Sequence, residues 1–100
     1  MTQPQQQQVQ IKASDAVLKG EYANMMQVMH TAEEFVLDFL SVYPPAGSLN
    51  ARVIVSPSHM KRIVAALADN MTKYEKQFGE VKPSEAPTTN PIGFDAQKGN

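Results

Sequence analysis

Residues 56–79 read SPSHMKRIVAALADNMTKYEKQFG, and this stretch decides the fold. Ser56 is a favourable N-cap, and Pro57 suits the first helical position, where a backbone N–H has no partner to lose. Gly79 follows the last apolar residue of the pattern and suits the left-handed position after a helix. The sequence therefore predicts one continuous helix of about 22 residues and about 33 Å between Ser56 and Gly79.

An apolar stripe runs along this predicted helix. Apart from Ile63, which widens the stripe at one end, its large side chains recur at alternating spacings of four and three residues, the heptad pattern of a helix that buries one side. This side can pack on a sheet of the same chain, pair with the same helix of a second copy, or do both. We call these residues the seam, which consists of Met60, Ile63, Val64, Leu67, Met71, Tyr74 and Phe78.

The residues before the helix have the patterns of strands. Apolar and polar side chains alternate at residues 9–13, and residues 35–40 are rich in aromatic and β-branched types. Residues 51–55 predict a further strand. Residues 21–29 fit a strand that pairs with the next one, although Met, Ala and Gln also favour helix there.

Two short segments separate these strands. Residues 31–34 are the predicted turn between the second and third strands, and PPAGS at residues 44–48 predicts a loop that cannot continue a ladder. Residues 35–40 carry apolar side chains on both faces of the predicted strand, so we expect a central strand that is covered on both sides. The predicted fold class is α+β, an antiparallel meander of three to four strands followed by one long C-terminal helix.

Length and composition limit the size of the core. Residues 1–8 are Gln-rich and residues 82–100 are rich in Pro, Ser and Thr, so both ends are predicted to be disordered. Residues 9–81 remain as a single α+β domain. A domain of this size is marginal alone, and we therefore expect a homodimer. Ile92 and Phe94 are either incidental apolar residues of a solubilising tail or a short anchor that docks on a partner or on the domain itself.

Composition also excludes several classes of protein. The chain has no cysteine, nine Lys and Arg, ten Asp and Glu, and a net charge of −1. Disulfides and thiolate metal sites are therefore excluded, and a strongly basic nucleic-acid binder is disfavoured. No apolar run approaches the roughly 20 residues of a membrane helix. The start of the chain does not resemble a secretory signal, so we expect a cytoplasmic protein that does not bind membranes.

Few residues suggest chemistry. Asp38 interrupts the apolar strand at residues 35–40, and a buried carboxylate there could act as an acid or base. The favoured interpretation is a structural ion pair between Asp38 and Arg52 on the neighbouring strand, because no second catalytic group is evident nearby. No catalytic residue, metal site or cofactor is predicted. An enzyme that uses Asp38 with His30 or His59 ranks third among the functions considered.

One basic cluster lies near the junction between the last strand and the helix. Arg52, Lys61 and Arg62 there could contact phosphates, together with the free N–H groups at the helix start. Acidic residues further along the helix offset this charge, and no aromatic residues alternate with the basic ones.

The sequence closely resembles the bacterial domain-of-unknown-function family 3467 over residues 21–81. The resemblance implies a small cytosolic protein without an assigned activity, and it supports the fold without giving any residue a role. The matching positions are Tyr22-Ala23-Asn24, Phe35, Asp38-Phe39, Ser56-Pro57, Leu67, Asn70, Tyr74-Glu75 and Phe78-Gly79.

The favoured function is a non-catalytic, dimeric interaction or adaptor module with protein-binding character and an unidentified macromolecular partner. The alternative is a binder of single-stranded DNA or RNA that uses the sheet face with Arg52, Lys61 and Arg62. A strand-rich unit followed by a C-terminal helix is similar in architecture to small dimeric binders of single-stranded nucleic acid, and this likeness carries little weight.

Overall fold

A computed structural model describes residues 7–96 as three antiparallel strands followed by a long helix. The prediction of an α+β fold with a C-terminal helix is confirmed. Its elements in chain order are α1 (Asp15–Lys19), β1 (Met25–His30), β2 (Phe35–Tyr43), β3 (Ala46–Val55) and α2 (Pro57–Phe78). Residues 1–6 of the predicted N-terminal tail and residues 97–100 of the predicted C-terminal tail lie outside the described residues.

Helix α2 begins and ends at the predicted residues. The Ser56 hydroxyl accepts a hydrogen bond from the backbone N–H of His59 at 3.2 Å, which satisfies one of the free donors of the first turn. At the other end, Gly79 has a φ of 96° and its N–H donates to the carbonyl of Glu75 at 2.9 Å. Only glycine adopts this φ readily, so the helix stops there.

Strand β2 lies at the centre of the sheet, between β1 and β3. The expectation of a central strand is correct, and Leu37 and Leu40, which point to opposite faces, are both buried; Phe39 is 38% exposed, so the expected cover on both sides is only partial. Among residues 7–96, the buried side chains all belong to this strand: Leu37, Asp38, Leu40 and Val42.

The strand predicted at residues 9–13 is wrong, and the described sheet has three strands. Val9 and Ile11 are exposed, the latter by 80%. An alternating pattern forms a strand only where another strand supplies hydrogen bonds, and no ladder reaches this segment. The segment that follows contains the single-turn helix α1, capped by Ser14 and ended by Gly20.

Strand β1 is shorter than predicted. The segment expected at residues 21–29 enters the ladder only at Met25, and the helical alternative is not adopted there. Asn24 stands just outside the strand, with its side-chain amide hydrogen-bonded to the backbone of Val42. The turn at residues 31–34 is present, and the Thr31 hydroxyl accepts hydrogen bonds from the N–H groups of Glu33 and Glu34.

The loop predicted at residues 44–48 is also wrong. Only Pro44 and Pro45 form the turn, and β3 begins at Ala46, so that β2 extends to Tyr43 and Tyr43 pairs with Ala46. Proline cannot donate to a ladder, but neither turn residue needs to. Strand β3 therefore covers the predicted residues 51–55 and five more before them.

A bulge interrupts the β2–β3 ladder. Phe39 pairs with Ala51 while Leu40 pairs with Leu49, which leaves Asn50 as an extra residue on β3. The Asn50 side chain donates to the Tyr22 carbonyl at 2.7 Å and to the Ser41 hydroxyl at 2.9 Å. The bulge is thus tied to the segment that leads into β1.

The expectation that the sheet of the same chain covers the seam of α2 is wrong. No residue of α2 is buried, and only Met60 and Ile63 of the seam are half-buried. Leu67 is 66% exposed and Phe78 is 65% exposed. The Cα radius of gyration is 18.0 Å, whereas a compact domain of this length has about 13 Å. Half-buried seam residues occur only in the first two turns of α2, and the seam residues after them are exposed.

Gly47, the second residue of β3, allows a test of how closely β3 approaches β2 after the turn. A Cβ atom at this position would lie 2.8 Å from the backbone oxygen of Ser41 and 3.2 Å from the Cα of Val42. We expect Gly47→Ala to destabilise the protein by about 1–3 kcal/mol, because backbone must move to admit the methyl group. Thermal unfolding followed by circular dichroism measures this. Gly93→Ala is the matched control, since its Cβ meets nothing within 4 Å; equal stability losses in the two variants would contradict the close approach.

Candidate functional site

The two faces of the sheet differ in chemistry. Residues paired across antiparallel strands share a face, so the register assigns each side chain. The first face, which we call the Asp38 face, carries Met25, Gln27, Met29, Val36, Asp38, Leu40, Arg52 and Ile54. The opposite face, which we call the Leu37 face, carries Met26, Val28, Phe35, Leu37, Phe39, Val53 and Val55.

Asp38 is the centre of the first face and is 0% exposed. The structure brings it together with Arg52, its direct partner on β3. Arg52 Nε lies 2.7 Å from Oδ1 of Asp38, and Nη2 lies 2.9 Å from Oδ2. Gln27, its partner on β1, donates to Oδ2 at 3.5 Å. Two parallel hydrogen bonds between a guanidinium and a carboxylate are the strongest arrangement of this pair, so the buried charge is compensated.

This environment holds the carboxyl group in its ionised form. The hydrogen bond from Arg52 lowers the pKa of Asp38, burial opposes this by raising it, and the Gln27 hydrogen bond lowers it further. The net effect is a lowered pKa. A catalytic acid or base needs a pKa near neutrality, and a lowered aspartate pKa does not provide one.

The face of the Arg52 guanidinium meets an aromatic ring from the C-terminal segment. The Arg52 Cζ atom lies 5.3 Å from the centroid of the Phe94 ring. This distance is within the range of a cation–π contact. Of the two interpretations of Ile92 and Phe94, the structure thus shows an anchor on the domain itself, formed through Phe94.

The candidate catalytic residues are not brought together. His30 pairs with Phe35 on the Leu37 face, and its ring centroid lies 5.3 Å from that of Phe35. Asp38 points to the other side of the sheet. His59 lies in the first turn of α2. Within residues 7–96, no three His, Cys, Asp or Glu side chains are arranged to hold a metal ion.

The basic cluster is divided by the fold. Arg52 is engaged by Asp38 through two hydrogen bonds. Lys61 and Arg62 are exposed in the first two turns of α2. A phosphate contact from Arg52 would therefore compete with a bidentate carboxylate that is already in place.

A second surface is apolar and exposed. The Leu37 face is formed almost entirely by apolar side chains, and several of them are more than one-third exposed. The seam of α2 is exposed as well. Monomeric proteins seldom leave large contiguous apolar patches in contact with water. The exposed members of the two groups are Met26, Val28, Phe39, Val53, Val64, Leu67, Met71, Tyr74 and Phe78.

Sequence reasoning missed the polar network beside the bulge. The Asn24 amide donates to the Val42 carbonyl at 3.0 Å and accepts from the Val42 N–H at 2.8 Å, so it replaces a neighbouring strand. The Ser41 hydroxyl donates to the Tyr22 carbonyl at 2.7 Å. An asparagine directly before an apolar strand was the available signal, since its amide offers both a donor and an acceptor.

The comparisons with known proteins show the family. Residues 1–83 match the family described as "Protein of unknown function (DUF3467)". The chain belongs to this family. The predicted resemblance is confirmed, and the match is longer than the predicted range of 21–81. No curated protein and no solved structure matches the chain.

Hydropathy separates the helices from membrane-spanning ones. Among the described residues, neither helix combines the length and the apolar content needed to cross a bilayer.

The Asp38–Arg52 pair predicts a dependence of stability on pH. Because folding lowers the pKa of Asp38, its stabilising effect is fully present above the ordinary aspartate pKa of about 3.9 and is lost as the pH falls through the lower folded value. We expect Asp38→Asn to lower Tm by about 4 °C or more at pH 7, with the gap to the unmodified chain closing below about pH 4.

Asp69→Asn is the control for this measurement. Asp69 forms an exposed pair with Lys73 at 2.9 Å, and exposed pairs of this kind contribute little. A gap between the unmodified chain and Asp38→Asn that stays constant down to pH 2, or an equal loss from Asp69→Asn, would show that the buried carboxylate is not ionised as described.

Proposed function

We propose that the protein is a non-catalytic interaction module that works as a homodimer, in which two chains cover each other's seam and Leu37 face. The observation that supports this is the long apolar side of α2, which no part of the described chain covers. A helix amphipathic along its full length normally buries its apolar side. A second copy of the chain carries the same exposed seam and the same Leu37 face, so the two copies can cover each other.

The exposed area supports a large interface. The chain exposes 9579 Å², whereas a compact monomer of its mass exposes about 5,600 Å². The difference of about 4,000 Å² per chain exceeds the roughly 1,000–2,500 Å² that each partner contributes to an obligate interface, so an interface of that size can be formed from it. The buried core of the described chain is also small for a stable domain, since it consists of four side chains on one strand.

The seam of α2 and the strands that form the Leu37 face have similar lengths. Helix α2 has 22 residues and a length of about 33 Å, and the ten residues of β3 extend over about 33 Å. A helix from one copy can therefore lie along the strands of the other. Exchange of identical elements about a twofold axis covers both surfaces at once and leaves no unpaired patch.

The opposite side of α2 is suited to solvent. It carries charged and small side chains, including the exposed pair between Asp69 and Lys73. The side opposite the seam, counted at 3.6 residues per turn, consists of Arg62, Ala65, Asp69, Thr72 and Lys76. A dimer formed through the seam therefore keeps a polar exterior.

A non-catalytic role is supported by the state of Asp38. Its carboxylate is buried, paired with Arg52 and held ionised. His30 lies on the opposite face of the sheet, and His59 lies in the first turn of α2. Asp38, the main candidate acid or base, is thus occupied in linking the strands of the sheet.

Substitution of the seam tests the dimer. We expect the unmodified chain to have twice its single-chain mass of 11.0 kDa in light scattering at about 10 µM. The double variant Leu67→Glu, Met71→Glu should dissociate at least about 100-fold more readily, because four charges enter one apolar interface. Far-UV circular dichroism on the same samples shows whether the freed chain keeps its helix.

The control is the double variant Ala65→Glu, Thr72→Glu on the polar side of the same helix. It adds the same charge and should keep the mass of the unmodified chain. The Tm of the unmodified chain should also rise with protein concentration, as for any dimer that unfolds to monomers. A single-chain mass of the unmodified protein at 10–100 µM, about the range in which such modules associate, contradicts the proposal.

A further inference from the structure

The C-terminal segment, residues 87–94, returns to the domain after α2 has ended. It has no helix or strand, yet Pro87, Thr88 and Ile92 are half-buried and Phe94 lies on Arg52. A segment without regular structure stays on a surface only where side-chain contacts offset the loss of conformational freedom. The Phe94–Arg52 contact places this segment on the Asp38 face.

The geometry of Arg52 selects the chemistry of what can bind there. The Nε–Nη2 edge of the guanidinium is occupied by both carboxylate oxygens of Asp38, which compensate its charge. Its planar face remains available, and the side chain is 43% exposed. Guanidinium faces accept aromatic rings. Because Asp38 already compensates the charge of Arg52, the remaining N–H groups attract an acidic or phosphorylated group less strongly than a free guanidinium would, whereas an aromatic ring on the planar face does not compete with Asp38.

Arg52 has an exposed apolar neighbour on the Asp38 face. Ile54 follows on the same strand and is 54% exposed, whereas Leu40, beside Asp38 on β2, is buried. This surface suits a peptide with an aliphatic side chain near its aromatic one. Ile92 and Phe94, two residues apart, have this composition.

The family match separates the surface from the segment. All residues of the Asp38 face lie within residues 1–83, the part that matches the family. Residues 87–94 lie outside it. The surface thus lies in the part of the chain that matches the family, and the segment that contacts it lies outside that part.

We propose that the Asp38 face is a binding surface for peptides that present an aromatic side chain to Arg52, and that residues 87–94 occupy it as an internal competitor. A partner peptide binds by displacing Phe94. The proposal does not depend on the dimer, which uses the opposite face of the sheet.

The first experiment locates the segment in the full chain. The sequence has no cysteine, so Ala96→Cys gives a single site for a nitroxide spin label. We expect the amide signals of Gln27 and Arg52 to be broadened selectively in heteronuclear NMR spectra, and the broadening to fall at least twofold when Phe94→Ala is added. Broadening that is absent, or unchanged by Phe94→Ala, overturns the proposal.

The second experiment measures competition. The probe is a fluorescein-labelled peptide with the sequence of residues 86–96, APTTNPIGFDA, titrated with full-length protein and followed by anisotropy. A tethered segment acts at a high effective concentration, so we expect the Phe94→Ala protein to bind the probe at least tenfold more tightly than the unmodified protein. The Ile11→Ala protein, altered at an exposed site, is the control and should bind like the unmodified protein.

The remaining arms identify the ligand class. A probe peptide with alanine in place of its phenylalanine should bind the Phe94→Ala protein at least tenfold more weakly. Equal binding of the two peptides, or equal binding of the probe by the two proteins, overturns the proposal. Single-stranded oligothymidine is titrated in parallel. Displacement of the bound probe by this oligonucleotide, with an affinity that falls steeply with salt, would assign the surface to nucleic acid instead.

Discussion

A three-stranded sheet contains one strand with neighbours on both sides, and in this protein that strand supplies every buried side chain of the described residues. Strands β1 and β3 are edges, and each exposes most of its side chains. Because α2 does not cover either face, the chain alone removes little apolar surface from water. The proposed dimer covers the Leu37 face of the sheet, and the C-terminal segment contacts the Asp38 face.

The ionised Asp38 links the strands across the whole width of the sheet. Its carboxylate accepts hydrogen bonds from Gln27 on β1 and from Arg52 on β3. Such a group fixes which residues are opposite each other, since a shift of one position would bury an uncompensated charge. The same pairing occupies the Nε–Nη2 edge of Arg52 and leaves its planar face free, so the structural role of Asp38 also influences what the surface above it binds.

The sequence predicted the parts of the fold that local signals determine. Helix α2 has a capping serine, a proline at its first position and a terminal glycine, and each acts within one turn. The Asp38–Arg52 pair followed from one charge in an apolar strand. The false strand at residues 9–13 and the false loop at residues 44–48 depended instead on which segments find a partner strand. The exposure of the seam, likewise, is a property of packing between elements and has no local signal.

The bulge at Asn50 has a consequence for assembly. A sheet with two open edges can add further chains strand by strand, and such growth has no natural end. The extra residue breaks the regular spacing of N–H and C=O groups along β3, and its amide ties the strand to Tyr22. Polymerisation along the β3 edge is thereby discouraged, and in the proposed dimer the copies meet through their broad faces, which gives a closed pair rather than a fibre.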